Sequence, residues 1–288
     1  MRFAIGLALA LGRTVGRWLL LPPIVAYFLA TSAVSRRASR RFLRRALPRA
    51  PTLGDVARHF YSFAGCTLDR AFFLSGRLQK FSIVAHRPPE VSAVAARHRG
   101  CLLMVAHFGS SDALRVLGVD RHKLNLSILM DRKHGQMITQ LFERLNPALA
   151  IDVIDAAQRG PQLVLSLKSA LDRGRMVGVM ADRARVDEAK IAVEFMGATA
   201  RLPVGPWVLA GALGVPVILG FGIHVGGNRY ESHFELMTDC VELPRGERQK
   251  AIEGWAQRYA GRLEHYARLA PYNWFNFFDF WADEPDSH

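Results

Sequence analysis

CLLMVAHFGSSD, residues 101–112, is the stretch on which the reading of this chain turns. Cys101 to Ala106 is a continuous apolar run of strand length, as in a parallel strand covered on both faces. His107 follows at once. Gly109-Ser110 then offers a turn before a helical stretch from Ala113, with Asp112 in its first turn. Polar groups just past the end of a buried strand stand where open α/β sheets bind ligands.

Working outward, the same pattern recurs. Leu124 to Met130 reads as a strand ending at Asp131-Arg132-Lys133-His134, and Met176 to Met180 as one ending at Ala181-Asp182-Arg183. Val215 to Gly222 and Tyr230 to Met237 read as later strands, Phe81 to Arg87 and Ile151 to Ile154 as shorter ones. Between them fall helical stretches at Pro88 to Arg99, Gly135 to Leu145, Pro161 to Arg173 and Leu202 to Leu213. A long last helix spans Arg248 to Leu269, and one or two helices precede the sheet from Leu53 to Leu78. Alternation of this kind implies an α/β fold, with a central, mostly parallel sheet flanked by helices.

Charge is unevenly placed. The 288 residues carry 38 basic and 25 acidic side chains, a net +13, yet residues 1–50 hold ten arginines and no acid. An apolar stretch from Trp18 to Val34, interrupted by Pro22-Pro23, sits at the lower edge of membrane-spanning length. The amphipathic segment Ser35 to Leu47 follows, with Arg36, Arg37, Arg40, Arg41, Arg44 and Arg45. An interfacial helix pair facing anionic lipid accounts for grease and charge together, with Trp18 at the interface. A signal peptide, a true spanning segment and an ordinary core helix with a solvated basic face are the competing readings. Arginines beside Leu-rich sequence, without stacking platforms, argue against nucleic acid as the partner. The domain division that follows is an arm over 1–50, an α/β domain over 51–280, and an acidic tail over 281–288.

Three cysteines, Cys66, Cys101 and Cys240, give no disulfide framework and no Cys-x-x-Cys metal pair. His86, His98, His122, His134, His224 and His233 form no metal-ligand spacing along the chain, so no metal is expected. The leading chemical pair is His107 and Asp112. A carboxylate on one ring nitrogen fixes the tautomer and leaves the other nitrogen to take a proton from a nucleophile. Backbone N–H groups of Phe108, Gly109, Ser110 and Ser111 are candidate donors to a developing oxyanion. Gly-Ser-Ser-Asp lacks the nucleophile elbow of serine hydrolases. The aromatic run Trp274 to Trp281 reads as a packed lid or an interface belt, with packing favoured by Asn273, Asn276 and Asp279 within it.

These motifs resemble the glycerolipid acyltransferase superfamily, in particular its bacterial lipid A (lauroyl/myristoyl) branch. The chain looks still closer to predicted acyltransferases associated with aryl-polyene and xanthomonadin pigments. The resemblance implies that the family's His-x4-Asp motif falls on His107 and Asp112, with Asp131-Arg132 and Asp182-Arg183 placing the acceptor. Val215-Pro216-Val217 matches a hydrophobic fourth motif, and Phe195 to Gly205 resembles a segment of the lipid A branch. Met180-Ala181-Asp182-Arg183 stands where the glycerol-phosphate branch has Pro-Glu-Gly, which argues against glycerol 3-phosphate as acceptor.

The resemblance further implies transfer of a fatty or polyenoic acyl group from a thioester to a hydroxyl or amine of a lipid-like acceptor. Acyl carrier protein or coenzyme A would carry the donor, with no tightly bound cofactor. The expected location is the cytoplasmic face of the bacterial inner membrane. A non-catalytic membrane scaffold and a thioester hydrolase are the alternatives that the residues leave open.

Overall fold

The apolar run from Cys101 becomes the central strand of a seven-stranded sheet in the computed structural model. The structure describes residues 6, 9–97, 100–116, 126–131, 152–158, 160–184 and 188–281. Strand β1 spans Ser82–His86, β2 Cys101–Gly109, β3 Leu126–Met130, β4 Asp152–Asp155 and β5 Met176–Met180. A two-stranded unit, β6 (Lys190–Phe195) and β7 (Ala198–Pro203), stands apart from the sheet, which β8 (Val217–Gly226) and β9 (Arg229–Thr238) complete. The sheet order is β1-β9-β8-β2-β5-β3-β4, and every pairing in it is parallel except β8 with β9.

Strand β2 is buried on both faces because its alternate side chains meet different layers. Leu102, Met104, Ala106 and Phe108 join the main core, while Cys101, Leu103 and Val105 pack with Val91, Val94 and Ile218 in another cluster. This period-two division is the physical content of the continuous apolar run. The helices are α1 (Arg13–Thr31), α2 (Ala33–Ala46), α3 (Leu53–Leu74), α4 (Pro89–Ala96), α5 (Ser111–Val116), α6 (Pro161–Asp172), α7 (Gly205–Leu213) and α8 (Arg248–Leu269).

Several expectations are refined. Helix α3 is one helix, started by a capping box between Thr52 and Asp55, and it ends at Leu74 rather than Leu78. The β6–β7 hairpin has no counterpart in the strands read from sequence. Its two-residue loop places Met196 and Gly197 at φ 54° and 73°, the left-handed pair that a tight hairpin requires. The chain is packed through Trp281, 1% exposed, and Asp279 pairs with Arg41 at 2.8 Å. The helix expected over Gly135 to Leu145, with Arg132, Lys133 and His134, lies outside the described residues.

Pro22-Pro23 does not end the first helix. A wider turn over Gly16–Leu20 precedes the prolines, and α1 continues to Thr31. Helix α1 is long and apolar enough to cross a membrane by length and composition. It buries Leu21 and Val25, and exposes Trp18, Leu19, Tyr27 and Phe28. Its first turns are fixed to the domain by polar contacts. Arg13 reaches Asp69, fully buried on α3, with two 2.7 Å bonds, and Arg17 adds one of 3.3 Å. The Tyr230 hydroxyl donates to the same carboxylate at 2.7 Å. A Cβ at Gly65 would come within 2.9 Å of the Arg17 guanidinium, so glycine there lets the arginine lie across α3.

The arginines of α2 divide by face. Arg36 donates to the carbonyls of Leu29 and Ala30 at the end of α1, and Arg45 lies 4.9 Å from the Trp281 ring. With Arg41 on Asp279, these three serve the protein's own packing. Arg37, Arg40 and Arg44 are exposed, at the three- and four-residue spacings of one helical face.

Candidate active site

Strands β2 and β5 are neighbours, with Val105 beside Met180, so their parallel register carries His107 to the level of Asp182. The consequence is a direct pair. His107 Nδ1 lies 2.9 Å from Asp182 Oδ1, and the His107 backbone N–H donates to Asp182 Oδ2 at 3.0 Å. Trp274 Nε1–H donates to the same Oδ2 at 3.2 Å. Asp182 is fully buried and His107 is 39% exposed at its side chain. A carboxylate facing Nδ1 requires the proton there, which leaves Nε2 as the ring's basic nitrogen.

Burial by itself raises the Asp182 carboxyl's pKa. The charge and hydrogen bonds of His107, with Arg183 beside it, outweigh burial and hold the carboxyl below its ordinary value. The partner of His107 Nδ1 is therefore Asp182, not Asp112 as expected. Asp112 is also buried, and it forms an ion pair with Arg70 Nε at 2.9 Å. The loop after Gly109 does bring Asp112 to the same cleft, but Arg70 from α3 meets its carboxylate there.

That cleft, about 440 Å³, is lined by His107, Ser111, Asp112, Arg70 and Arg183, with Phe63, Met180, Phe275 and Phe277 among its apolar walls. Helix α3 supplies Phe63, Cys66, Thr67 and Arg70, one helical stripe at three- and four-residue spacing. Burial pushes the Cys66 thiol up to about 12, which removes it as a nucleophile. The Ser110 hydroxyl accepts from the Ala113 N–H at 3.2 Å and so acts as a helix cap.

Arg183 donates to the Phe275 carbonyl, and its guanidinium lies 4.9 Å from the Phe278 ring. Burial lowers its pKa, with Asp182 opposing that shift. Arg183 Nε has no hydrogen-bond partner among the described residues. Asp131 follows β3, with β5 between β3 and β2, and is not among the residues lining the cleft. Arg132 lies outside the described residues.

The expected oxyanion donors are partly spent. Gly109 N–H donates to the Asn273 carbonyl at 2.6 Å and Ser110 N–H to the Gly222 carbonyl at 2.9 Å, so neither amide is free. The turn itself depends on glycine. Gly109 has φ 52°, and a Cβ there would lie 1.7 Å from the Gly222 carbonyl oxygen. Gly109→Ala is expected to lose the folded site, read as a lowered thermal unfolding midpoint together with loss of activity.

Most of the aromatic tail is packed, with Trp274, Phe275, Phe280 and Trp281 buried and Phe278 exposed. Phe108 bridges Trp274 in antiparallel fashion, and Phe275 N–H donates to the His107 carbonyl at 2.8 Å. Behind this strap, the buried His59 bonds the Trp274 carbonyl at 2.8 Å through Nε2 and Ser39 Oγ at 2.9 Å through Nδ1. Burial lowers the His59 imidazole to about 4. Because the unfolded chain binds this proton more readily, the stability held by neutral His59 is complete above about pH 6.5 and is lost as pH falls towards 4. The loss should approach about 3 kcal/mol, from the linkage between pKa and stability. Unfolding midpoints measured from pH 7 to 4 should fall more steeply for the wild type than for His59→Asn.

Sequence reasoning missed Arg70 and the role of Trp274. The stripe on α3 was a readable signal for Arg70. Nothing local marked Trp274, because its contact with Asp182 spans 92 residues.

Fold and site together define an α/β enzyme class, with a carboxylate-held imidazole in a cleft at the carboxyl edge of parallel strands. The family model described as bacterial lipid A biosynthesis acyltransferase matches residues 88–282, and the chain belongs to that family of acyltransferases. No curated protein sequence matches the chain closely enough to count as a relative. The matched span includes His107, Asp112, Asp182, Arg183 and Trp274, whereas α3 and its wall of the cleft precede it.

Proposed function

We propose that the protein transfers a fatty or polyenoic acyl group from a thioester donor to a hydroxyl or amine of a lipid-like acceptor. The observation that carries this reading is the His107–Asp182 pair, at 2.9 Å, beside a cleft that five phenylalanines help to line. The family's acyl-transfer chemistry supplies the reaction class.

In the proposed step, the acceptor's O–H or N–H loses its proton to His107 Nε2 as its oxygen or nitrogen attacks the thioester carbonyl. The tetrahedral species carries negative charge on the former carbonyl oxygen. Phe108 and Ser111, whose amide opens α5, are what remains of the expected set, since the Gly109 and Ser110 amides are engaged elsewhere. The C–S bond then breaks, and His107 returns the proton to the leaving thiolate. Asp182 holds the ring and balances the transient imidazolium. Arg70 and Arg183 supply positive charge for a phosphate or carboxylate on the acceptor or the carrier.

The acyl donor is acyl carrier protein or coenzyme A, and the acceptor is a lipid or a small aromatic-headed molecule of the aryl-polyene kind. The reaction runs at the cytoplasmic membrane face. Exposed Trp18, Tyr27 and Phe28 on α1, with Arg37, Arg40 and Arg44 on α2, would meet an anionic lipid surface. The arm over 1–50 is the membrane-associating part, and 51–280 the catalytic one.

Mass spectrometry of total lipids and pigments from a deletion strain tests the reading. One acylated species should be lost and should return with the wild-type gene but not with His107→Ala. An unchanged profile in all strains would overturn it. Acyl carrier protein and coenzyme A thioesters offered to the purified protein then separate the two donors.

A further inference from the structure

On the far edge of the sheet, His86 closes β1 and stands in register with His233 of β9. Glu231 lies two residues before His233, so its side chain emerges on the same face of that strand. Glu231 Oε2 is 3.4 Å from His86 Nε2 and 3.1 Å from His233 Nε2, and the three donor atoms all lie within 4.8 Å of one another. The two imidazoles stack at 4.3 Å with 14° between their planes.

We propose that His86, Glu231 and His233 form a binding site for a divalent transition-metal ion of the zinc type, clipping β1 to the sheet.

Donor type and spacing carry the assignment. Two imidazoles and a carboxylate suit a borderline ion such as Zn²⁺, whose bonds of about 2.0–2.2 Å place tetrahedral donors roughly 3.3 Å apart. Both measured nitrogen–oxygen separations straddle that value. The third separation, between the two imidazoles, is within 4.8 Å. Metal binding would turn the exposed His86 ring out of its stack on His233 so that both lone pairs meet one ion, with water in the fourth position. The other carboxylate on this face, Glu235, is already held by two bonds from Arg262 and one from the Tyr266 hydroxyl, so it is not a competing ligand.

The site lies on β1 and β9, with β8 between β9 and β2 in the sheet order, and shares no residue with the cleft around His107. Its function is structural. β1 is a five-residue edge strand held by one parallel neighbour, and an ion shared with β9 would fasten its carboxyl end. No spacing along the sequence reveals it, because the register of β1 on β9 unites its ligands.

The test uses the full-length protein in detergent, stripped with chelator and then titrated with Zn²⁺. Bound metal is measured after desalting, and thermal unfolding is followed in parallel. Wild type and the off-site variant His265→Ala should each retain one equivalent and gain thermal stability. His86→Ala and His233→Ala should bind about tenfold more weakly or worse, a loss at least as large as that typical of removing a supporting group. Co²⁺ in place of Zn²⁺ should give a four-coordinate spectrum without a thiolate band, which separates this site from binding at Cys240. Absence of a retained equivalent in the wild type, or undiminished binding in His86→Ala, overturns the proposal. Because His86 is exposed at the sheet edge, its variant remains decisive even where His233→Ala fails to fold.

Discussion

His107→Ala is expected to reduce acyl transfer by about 10²–10⁴-fold, the range that a positioned general base contributes. The fold should survive the change. The side chain is 39% exposed, and it stands at the rim of the sheet rather than in a packed layer. Its removal does leave Asp182 without the His107 side-chain hydrogen bond, although the His107 backbone N–H and the Trp274 indole still donate to that carboxylate. Thermal unfolding should therefore shift only modestly while turnover collapses. The check is single-turnover transfer from a radiolabelled acyl thioester to acceptor lipid, with unfolding midpoints measured on the same preparations. Transfer within threefold of wild type would remove His107 from the chemistry.

The second large effect is expected at Asp182. Asp182→Asn keeps the volume of the buried side chain but exchanges a two-oxygen acceptor for one that also presents an N–H. The backbone N–H of His107 and the Trp274 indole can keep an oxygen partner, which turns the amide nitrogen towards His107 Nδ1. The imidazole must then accept at Nδ1 and carry its proton on Nε2, the wrong tautomer for a base facing the cleft. A similar loss of about 10²–10⁴-fold in kcat follows, with KM changed far less. Nitrogen NMR of the labelled imidazole should show the tautomer reversed, a signature that mere loosening of the site would not produce. Asp112→Asn, run beside it, decides between the two carboxylates. A reversed tautomer in the Asp112 variant and not in the Asp182 variant would return the orienting role to Asp112.

Local pattern was enough to read much of the scaffold. The last helix, Arg248–Leu269, has the bounds its apolar spacing predicts, and the buried strands of the sheet were legible as short greasy runs. The β6–β7 hairpin was not, because its loop relies on a left-handed methionine, a residue that does not advertise such a turn. The arginine block was legible as a charged helix. Only the packing of α2 against Trp281, Asp279 and the end of α1 distinguishes the three inward arginines from the three outward ones.

By itself, then, the sequence determined the α/β class and the placing of Asp112, Asp182 and Arg183 just past strand ends. Those are consequences of backbone periodicity and of which side chains tolerate water, and both act over a few residues. The structure, by contrast, extends β2 through His107 to Gly109 and runs the first helix from Arg13 to Thr31 across the prolines. Tertiary structure decided which of these groups meet. The order of strands is set by packing on both faces of the sheet, a property of the whole chain. It makes β5 the neighbour of β2 and so delivers Asp182 to His107. The same long-range packing sends Arg70 to Asp112 and Trp274 to Asp182, and takes the Gly109 and Ser110 amides for the tail and for β8. Hydrogen bonds of this kind act only at contact distance, so a group's partner follows from where the chain returns, not from where the residue lies along it.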